Sequence, residues 1–285
     1  MNKKSLFATA LVFSFVCLTF VGCVEEEAGV EVEPVEEQKE IVIKEQLSYF
    51  PPVNSKFTFR ATSSGDKAAT ISLWEKPGER NEIHQYMGVR DEVKGKTREG
   101  EISDSLPRAC ALWRTTTPSD PDFHANFCYA LGDSAMFYYL EEQSSGELKY
   151  YTDCLKALSF PLAIGDSWTE ETFFYTYVPD TGVFISPKYE SKGLVSDSIT
   201  VEVSVDGKET VSTPAGSFEC YKVTTVFTSN TGRFITKATT TTTMERWWSP
   251  ELNYFVKEHD TIFMGAMMDS EGVIDKVLID YHLSG

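Results

Sequence analysis

The sequence predicts an all-β protein whose antiparallel strands form an open half-barrel or a sandwich, with two related β halves as an alternative. Two observations support this class. Apolar and polar residues alternate through much of the chain after Phe57, with many β-branched and aromatic side chains, whereas helical periodicity is scarce. Turn residues follow the alternating runs at short intervals, as hairpin connections require.

The first half of the chain contains predicted strands separated by turns rich in Ser, Gly, Asp and Pro. These strands are residues 57–62, 69–74, 82–89, 109–115, 135–141 and 148–153. Residues 117–122 read as a loop because Pro and Asp dominate them. Residues 154–159 are expected to hold one short helical turn.

The second half shows the alternation more clearly, with predicted turns at 206–207, 214–216, 230–232 and 250–253. Its predicted strands are residues 199–205, 218–228, 233–244, 245–249, 254–259, 261–267 and 273–283. Five successive threonines at 239–243 indicate a solvated strand face or an edge strand, because β-branched residues suit a pleated surface.

The N-terminus reads as an export signal. Lys3 and Lys4 precede an apolar run over residues 6–21, which ends in Gly22 and Cys23. This ending resembles the lipobox of prokaryotic lipoproteins, which implies that Cys23 receives a diacylglyceryl group and becomes the first residue after cleavage. An uncleaved membrane helix is the alternative, since the run is about long enough to span a bilayer. Both readings place the rest of the chain outside the cytoplasm, anchored to a membrane of the cell envelope.

An acidic tether is predicted after Cys23. Residues 24–40 contain eight Glu and one Lys, with no aromatic residue. Such a segment cannot bury enough apolar surface to become ordered, and its like charges extend it. The predicted organisation is therefore a signal peptide (1–22), a lipidated Cys with its tether (23–44), an N-terminal β region (45–157) and a C-terminal β region (158–285).

The composition limits the partners. The chain carries a net charge of −17, and removing the signal segment with its two lysines gives −19. This acidity argues against nucleic acid as a partner. Hydrophobic residues at 41% and aromatic residues at 13% are ample for a folded core.

The remaining cysteines predict two disulfides in an exported chain. They are Cys110, Cys128, Cys154 and Cys220, and none of them has Cys-x-x-Cys spacing. Sequence proximity favours Cys110 with Cys128 and Cys154 with Cys220, although three connectivities exist. Buried free thiols are the alternative.

Three motifs carry a family resemblance, which covers about residues 158–260. They are Phe160-Pro161-Leu162 leading through Gly165-Asp166 to Trp168, then Pro214-Ala215-Gly216-Ser217-Phe218, and then Trp247-Trp248-Ser249-Pro250. The pattern resembles a family of uncharacterised exported prokaryotic β proteins. That family is similar in outline to the lipoprotein-localisation carriers, which implies an open half-barrel able to hold acyl chains. The resemblance supplies no active site to carry over.

The leading functional hypothesis is a non-enzymatic lipoprotein that binds a hydrophobic ligand, such as a lipid, or an envelope protein on a concave aromatic face. The candidate ligand-binding residues are Trp168, Trp247, Trp248, Tyr254 and Phe255, for which core or rim packing is the alternative. A cell-surface interaction module is the second hypothesis, and an extracytoplasmic hydrolase using acidic residues is the third. No nucleophile elbow, phosphate loop, dinucleotide fingerprint or metal motif occurs, so we expect no catalytic residues, cofactor or metal.

Overall fold

The structure is a computed structural model, and the all-β prediction is confirmed in it. It describes residues 49–65, 78–93, 96–97, 100–101, 108–131, 134–144, 148–172, 174–177, 199–233, 236–265 and 270–285. These residues form strands and turns, without a helix. The strands are β1 (Lys56–Gly65), β2 (Gly78–Val93), β3 (Lys96–Thr97), β4 (Gly100–Glu101), β5 (Arg108–Thr117), β6 (Asp120–Leu131), β7 (Ala135–Gln143), β8 (Leu148–Ser159), β9 (Ser167–Thr172), β10 (Phe174–Tyr177), β11 (Ile199–Thr213), β12 (Gly216–Arg233), β13 (Thr236–Ser249), β14 (Tyr254–Gly265) and β15 (Ser270–His282).

Thirteen of the strands form a single sheet, in the order β10-β8-β7-β6-β5-β2-β1-β15-β14-β13-β12-β11-β9, and β3 with β4 forms a separate ribbon. The recorded strand pairs are antiparallel, and β1 pairs with β15, so the two ends of the described chain meet in mid-sheet. Both predicted β regions therefore contribute to one sheet. The boundary between residues 157 and 158 falls inside β8, and the predicted domain limits themselves stay a prediction.

The sheet curls until its two edges come together. β9 pairs with β11 at one edge, and β10, which follows almost immediately in the chain, pairs with β8 at the other edge. The seam between β8 and β9 is joined by side chains. Trp168 Nε1 donates to the carbonyl of Lys156 at 3.0 Å, and the Lys156 amide donates to Glu170 Oε2 at 2.8 Å. The result is a nearly closed, barrel-like sheet.

The core fills the inside of this barrel. Aromatic rings from opposite walls meet there, since Trp113 of β5 stacks on Tyr254 of β14 with ring centroids 4.0 Å apart. Phe160, which precedes a cis proline, packs against Trp248 of β13 at 5.4 Å. These contacts hold the wall that contains β5 against the wall that contains β13 and β14.

Five local predictions differ from the structure. Residues 230–232, a predicted turn, lie within strand β12 and pair with residues 237–239 of β13. Residues 154–159 continue strand β8 rather than forming a helical turn, because Leu155, Ala157 and Leu158 are buried in the sheet core. Strand β6 begins inside the predicted loop and was missed, since its Asp-Pro-Asp start conceals the alternation that follows. Residues 206–207 lie at a bulge within β11 rather than at a turn. The threonine-rich strand β13 lies between β12 and β14, so it is not an edge strand.

Two predicted turns agree with the structure, and several other predictions concern residues outside the described part of the chain. The turn at Pro214-Ala215 connects β11 to β12, and Gly216 after it has a φ of 148°. Asn253, in the predicted turn before β14, has a left-handed φ of 49°. The signal peptide, Cys23, the acidic tether and the predicted strand 69–74 lie outside the described residues. No helix in the described part of the chain has the length and apolarity needed to cross a membrane.

Candidate functional site

A line of charged side chains crosses the inner face of the sheet from β2 to β13. Within it, Glu258 lies opposite Lys276 on one side and opposite Arg246 on the other. Ala61 of β1 lies opposite both Arg80 and Lys276, so it occupies the same line between them. We call this line the charged row, and its members are Arg80, Glu82, Lys276, Glu258 and Arg246.

Lys276 joins two buried carboxylates. Its Nζ lies 3.3 Å from Oε2 of Glu82 and 3.3 Å from Oε2 of Glu258. The reach to Glu82 passes across β1, where the small side chain of Ala61 leaves room for the lysine. Burial is the largest single influence and raises the pKa of both carboxyls. Lys276 opposes it, together with His84 and Arg80 at Glu82 and with Arg246 and His84 at Glu258, so that each pKa lies below its ordinary value. The two carboxylates in turn raise the pKa of Lys276 against the effect of its burial.

Glu82 also links the charged row to the aromatic interior. Arg80 donates through Nη2 to Oε1 of Glu82 at 2.9 Å, and Nε2 of His84 lies 3.3 Å from Oε2 of the same carboxylate. The other ring nitrogen of His84 lies 2.9 Å from the hydroxyl of Tyr254. With Nε2 protonated, Nδ1 accepts from this hydroxyl, so a continuous polar chain runs from Arg80 to Tyr254.

Arg246 reaches across the barrel. Its Nη1 donates to the hydroxyl of Tyr138 on β7, and its guanidinium lies 5.5 Å from the centre of the Phe255 ring. Its Nε is buried and has no hydrogen-bond partner. Burial lowers the pKa of Arg246, but neighbours led by Tyr138 and the carboxylate of Glu258 raise the pKa by a larger amount. The net pKa is above its ordinary value, so the side chain stays charged.

Asp260 continues the inner face of β14 two residues beyond Glu258. Its side chain is buried, at 7% exposure, and its Oδ1 has no hydrogen-bond partner. Burial raises the pKa of Asp260 to about 6, although Arg246 acts in the opposite direction. Asp260 is therefore ionised at neutral pH and takes up a proton in mildly acidic solution.

An aromatic cluster lies next to the charged row. Phe57 packs on Tyr254 with ring centroids 4.7 Å apart, and Tyr86 packs on Trp113 at 5.2 Å. These rings contact one another directly, so this part of the interior is filled by the protein's own side chains. The aromatic cluster consists of Phe57, Phe59, Tyr86, Trp113, Phe160, Trp248, Tyr254 and Phe255.

The five predicted aromatic residues lie in three different surroundings, and their role in ligand binding stays a prediction. Trp248, Tyr254 and Phe255 belong to the aromatic cluster, and Trp168 lies at the seam between β8 and β9. Trp247 points to the opposite side of the sheet from Trp248, because adjacent residues of a strand face opposite ways.

Trp247 is nevertheless covered. Its indole nitrogen donates to Glu209, and the ammonium groups of Lys257 and Lys222 lie 4.2 Å and 5.5 Å from the centre of its ring. The aliphatic stems of these lysines shield the ring from solvent on the outer side of the sheet. Trp247 is therefore part of an outer aromatic and cationic contact rather than of the barrel interior.

The cysteines are distributed over both halves of the sheet. Cys110 lies opposite Ala130 and Cys128 lies opposite Leu112, so the two cysteines are buried on the same face of adjacent strands, and the bond between them stays a prediction. Cys220 is a free buried thiol, and burial raises its pKa to about 12. The predicted Cys154–Cys220 bond is therefore not formed in this structure, and β8 and β12, which carry these residues, are not neighbours in the sheet.

The charged row was not predicted from the sequence, although the alternation in β14 contains a signal for it. Val256, Glu258, Asp260 and Ile262 alternate along β14, which places two carboxylates on the same face as two buried aliphatic residues. A carboxylate at a core-facing position is informative because such groups are rarely buried without a partner. Across the described ranges, no group of three His, Cys, Asp or Glu side chains could hold a metal ion.

Replacing Asp260 with Asn tests the buried carboxylate. The folded protein binds a proton at Asp260 between the ordinary pKa of 3.8 and about 6, whereas the unfolded chain does not. Ionised Asp260 therefore costs stability as the pH rises through this window. We expect Asp260→Asn to be stabilised relative to the wild type by about 2 kcal/mol more at pH 7.5 than at pH 4.5.

Urea denaturation at the two pH values measures this difference. Asp280→Asn is the matched control, because Asp280 is an exposed residue of the neighbouring strand β15. The control should show little pH-dependent difference. An equal effect of Asp260→Asn at both pH values would contradict the burial of an ionisable Asp260.

Comparisons with known proteins add the following. A family model described as DUF3108-like matches residues 176–259, less than half of the chain. A comparison with curated proteins found no match. A candidate exported protein of Bacteroides fragilis with a YmcC-like fold is 12% identical with a TM-score of 0.42, and the match covers 82% of this chain and 98% of that chain.

Two further solved structures are similar. A candidate lipoprotein of Parabacteroides distasonis is 13% identical with a TM-score of 0.42, over 82% of this chain and 98% of that one. The hypothetical lipoprotein YmcC of Escherichia coli is 11% identical with a TM-score of 0.36, over 84% and 96% of the two chains. The resemblance to lipoprotein-localisation carriers stays a prediction. The matched part of this chain is thus similar to the DUF3108-like family.

Proposed function

We propose that this protein is a non-enzymatic lipoprotein, anchored to a membrane through Cys23, whose barrel-like domain binds a ligand outside the cytoplasm. The N-terminal sequence supports the anchor, since Gly22-Cys23 follows a basic start and an apolar run. Two acyl chains give stable membrane anchoring, whereas one gives only marginal binding. The acidic residues 24–40 then serve as a spacer between the membrane and the folded domain.

One observation carries the binding role, namely that the barrel interior keeps charges beside its aromatic cluster. Buried ion pairs are often no more stabilising than apolar residues of the same size, so a core that served stability alone would not need the charged row. Trp248, Tyr254 and Phe255 border the charged row and remain the aromatic candidates for ligand contact. Trp168 lies at the seam, where a ligand would pass between β8 and β9.

A hydrolase is the second candidate, and one observation favours it. Burial raises the pKa of Asp260 to about 6, which is the range expected of a carboxyl that acts as a general acid or base. Glu258 differs, because Lys276 lowers its pKa and occupies its Oε2. Two carboxyls with separated pKa values are a feature of acid–base enzymes, so loss of a hydrolytic activity in Asp260→Asn would support this candidate.

Changing Cys23 tests the anchor. We expect Cys23→Ser to abolish incorporation of labelled fatty acid, because the lipid is attached to this thiol. Cys17→Ser is the matched control, since Cys17 lies within the same apolar run and should leave lipidation unchanged. Labelling that persists in Cys23→Ser would contradict the proposed anchor.

Native mass spectrometry of the full chain, purified gently from its own host, tests ligand binding. We expect a wild-type protein that carries a small-molecule adduct, which departs on denaturation. The measurement compares the intact mass under native and denaturing conditions in the same preparation. A bare mass under native conditions would contradict the ligand-binding role and would favour a surface interaction module.

A further inference from the structure

Two buried polar atoms of opposite type stand without partners inside the barrel. Nε of Arg246 is a hydrogen-bond donor, Oδ1 of Asp260 is an acceptor, and neither has a hydrogen-bond partner in the structure. Folded proteins pair the great majority of such atoms, with protein groups, ordered water or a ligand. An open donor and an open acceptor on adjacent strands are available to a ligand or to water.

The strand register places the two residues near each other. Arg246 of β13 lies opposite Glu258 of β14, and Asp260 is the next inward-facing residue along β14. Arg246 and Asp260 are thus diagonal neighbours on one face of adjacent strands, where side chains about 7–8 Å apart at their origins can reach a common molecule. Ser63 of β1 lies in the same lateral line as Asp260, and its buried hydroxyl also has no hydrogen-bond partner.

Arg246 is held in an orientation that keeps its Nε open. Its Nη1 is engaged by Tyr138 from the opposite wall, and its guanidinium plane packs over the ring of Phe255. The planar guanidinium cannot turn Nε toward another group without breaking these two contacts. Asp260 Oδ1 is likewise fixed by the burial of its side chain in the sheet.

The charges around this pair already balance. Arg80, Lys276 and Arg246 supply three cations, and Glu82, Glu258 and Asp260 supply three carboxylates at neutral pH. A charged ligand would leave an uncompensated charge in the interior, which is costly. A hydroxyl group is neutral and can both donate to Oδ1 of Asp260 and accept from Nε of Arg246.

We propose that Arg246 and Asp260 bind the hydroxyl groups of a neutral saccharide unit, with Ser63 as a third contact. This inference rests on the proposed ligand-binding role and names the class of ligand. The saccharide can be a free sugar or the head group of a glycolipid, since both present the same hydroxyls. Phe255 borders the site, since its ring centre lies 5.5 Å from the Arg246 guanidinium, and it supplies apolar surface for a sugar ring.

Saturation-transfer NMR on the full chain, in a detergent without a sugar head group, tests this proposal. The neutral probes are glucose and N-acetylglucosamine, and octyl glucoside represents a glycolipid. Glucose 6-phosphate and glucosamine are the charged comparators. We expect a neutral probe to bind more tightly than its charged comparators. Comparing the binding of the free sugars with that of octyl glucoside distinguishes a free sugar from a glycolipid head group as the ligand.

Variants tie the binding to the proposed pair. Asp260→Asn removes the charged acceptor while keeping the size, and Arg246→Lys keeps the charge while removing the Nε donor. Each should weaken binding of the neutral probe by about tenfold or more, because a hydrogen bond to a charged group is lost. Asp275→Asn, on the outer face, should bind as the wild type does. Circular dichroism checks that each variant is folded, and either of the two site variants suffices for the test.

Several results would overturn the proposal. If no neutral saccharide binds the wild type, water satisfies the two atoms and the inference is wrong. Equal binding by the wild type and Asp260→Asn would place the sugar elsewhere, and tighter binding of either charged comparator would exclude a neutral ligand. A lipid adduct that the wild type and Asp260→Asn retain equally in native mass spectrometry would leave the proposed function standing while contradicting this site.

Discussion

Lys276 is the group on which the interior of this barrel depends, because it pairs with two buried carboxylates, one on each side of it. Its Nζ lies 3.3 Å from both Glu82 and Glu258, which are 2% and 5% exposed. A carboxylate buried in this way would otherwise protonate or draw water into the core. The contact to Glu82 crosses β1 at Ala61, so a larger residue there would push the lysine away.

The charged row explains why a sheet of thirteen strands can close around a mixed interior. The aromatic cluster supplies apolar burial across the barrel, as in the stacked pair Trp113 and Tyr254. The charged row joins the same walls by directional bonds, and Arg246 reaches Tyr138 on the far side. His84 connects the two parts through Tyr254 and Glu82. The end of the charged row is therefore in contact with both walls of the barrel.

The sequence correctly predicted those strands in which apolar and polar residues alternate because one face of the strand is buried. In β1, Phe57, Phe59 and Ala61 are buried while the residues between them are not, and this period of two is visible without any structure. Strand β6 and the end of β8 were not predicted correctly, because Asp-Pro-Asp masks the start of one and residues 154–159 lack a clean alternation. Local sequence carries little information about such segments, whose conformation is set by pairing with distant strands.

The charged row could not be predicted in the same way. Glu82 and Lys276 are far apart in sequence and meet only because β1 pairs with both β2 and β15. The predicted aromatic site stays a prediction, although Trp247 and Trp248 are adjacent in β13 and so face opposite sides of the sheet. Aromatic composition indicates where burial occurs, whereas register decides which side chains meet.

A double-mutant cycle between Glu82 and Lys276 tests most directly whether these two buried side chains compensate each other's charge. The cycle combines Glu82→Gln and Lys276→Met and measures the free energy of unfolding of both single variants and the double variant. We expect a coupling of about 1.5–3 kcal/mol, because either single change leaves a buried charge without its partner. The same cycle on the more exposed pair Lys222 and Glu245 should give at most about 1 kcal/mol. A coupling for Glu82 and Lys276 no larger than that of the exposed pair would contradict the account.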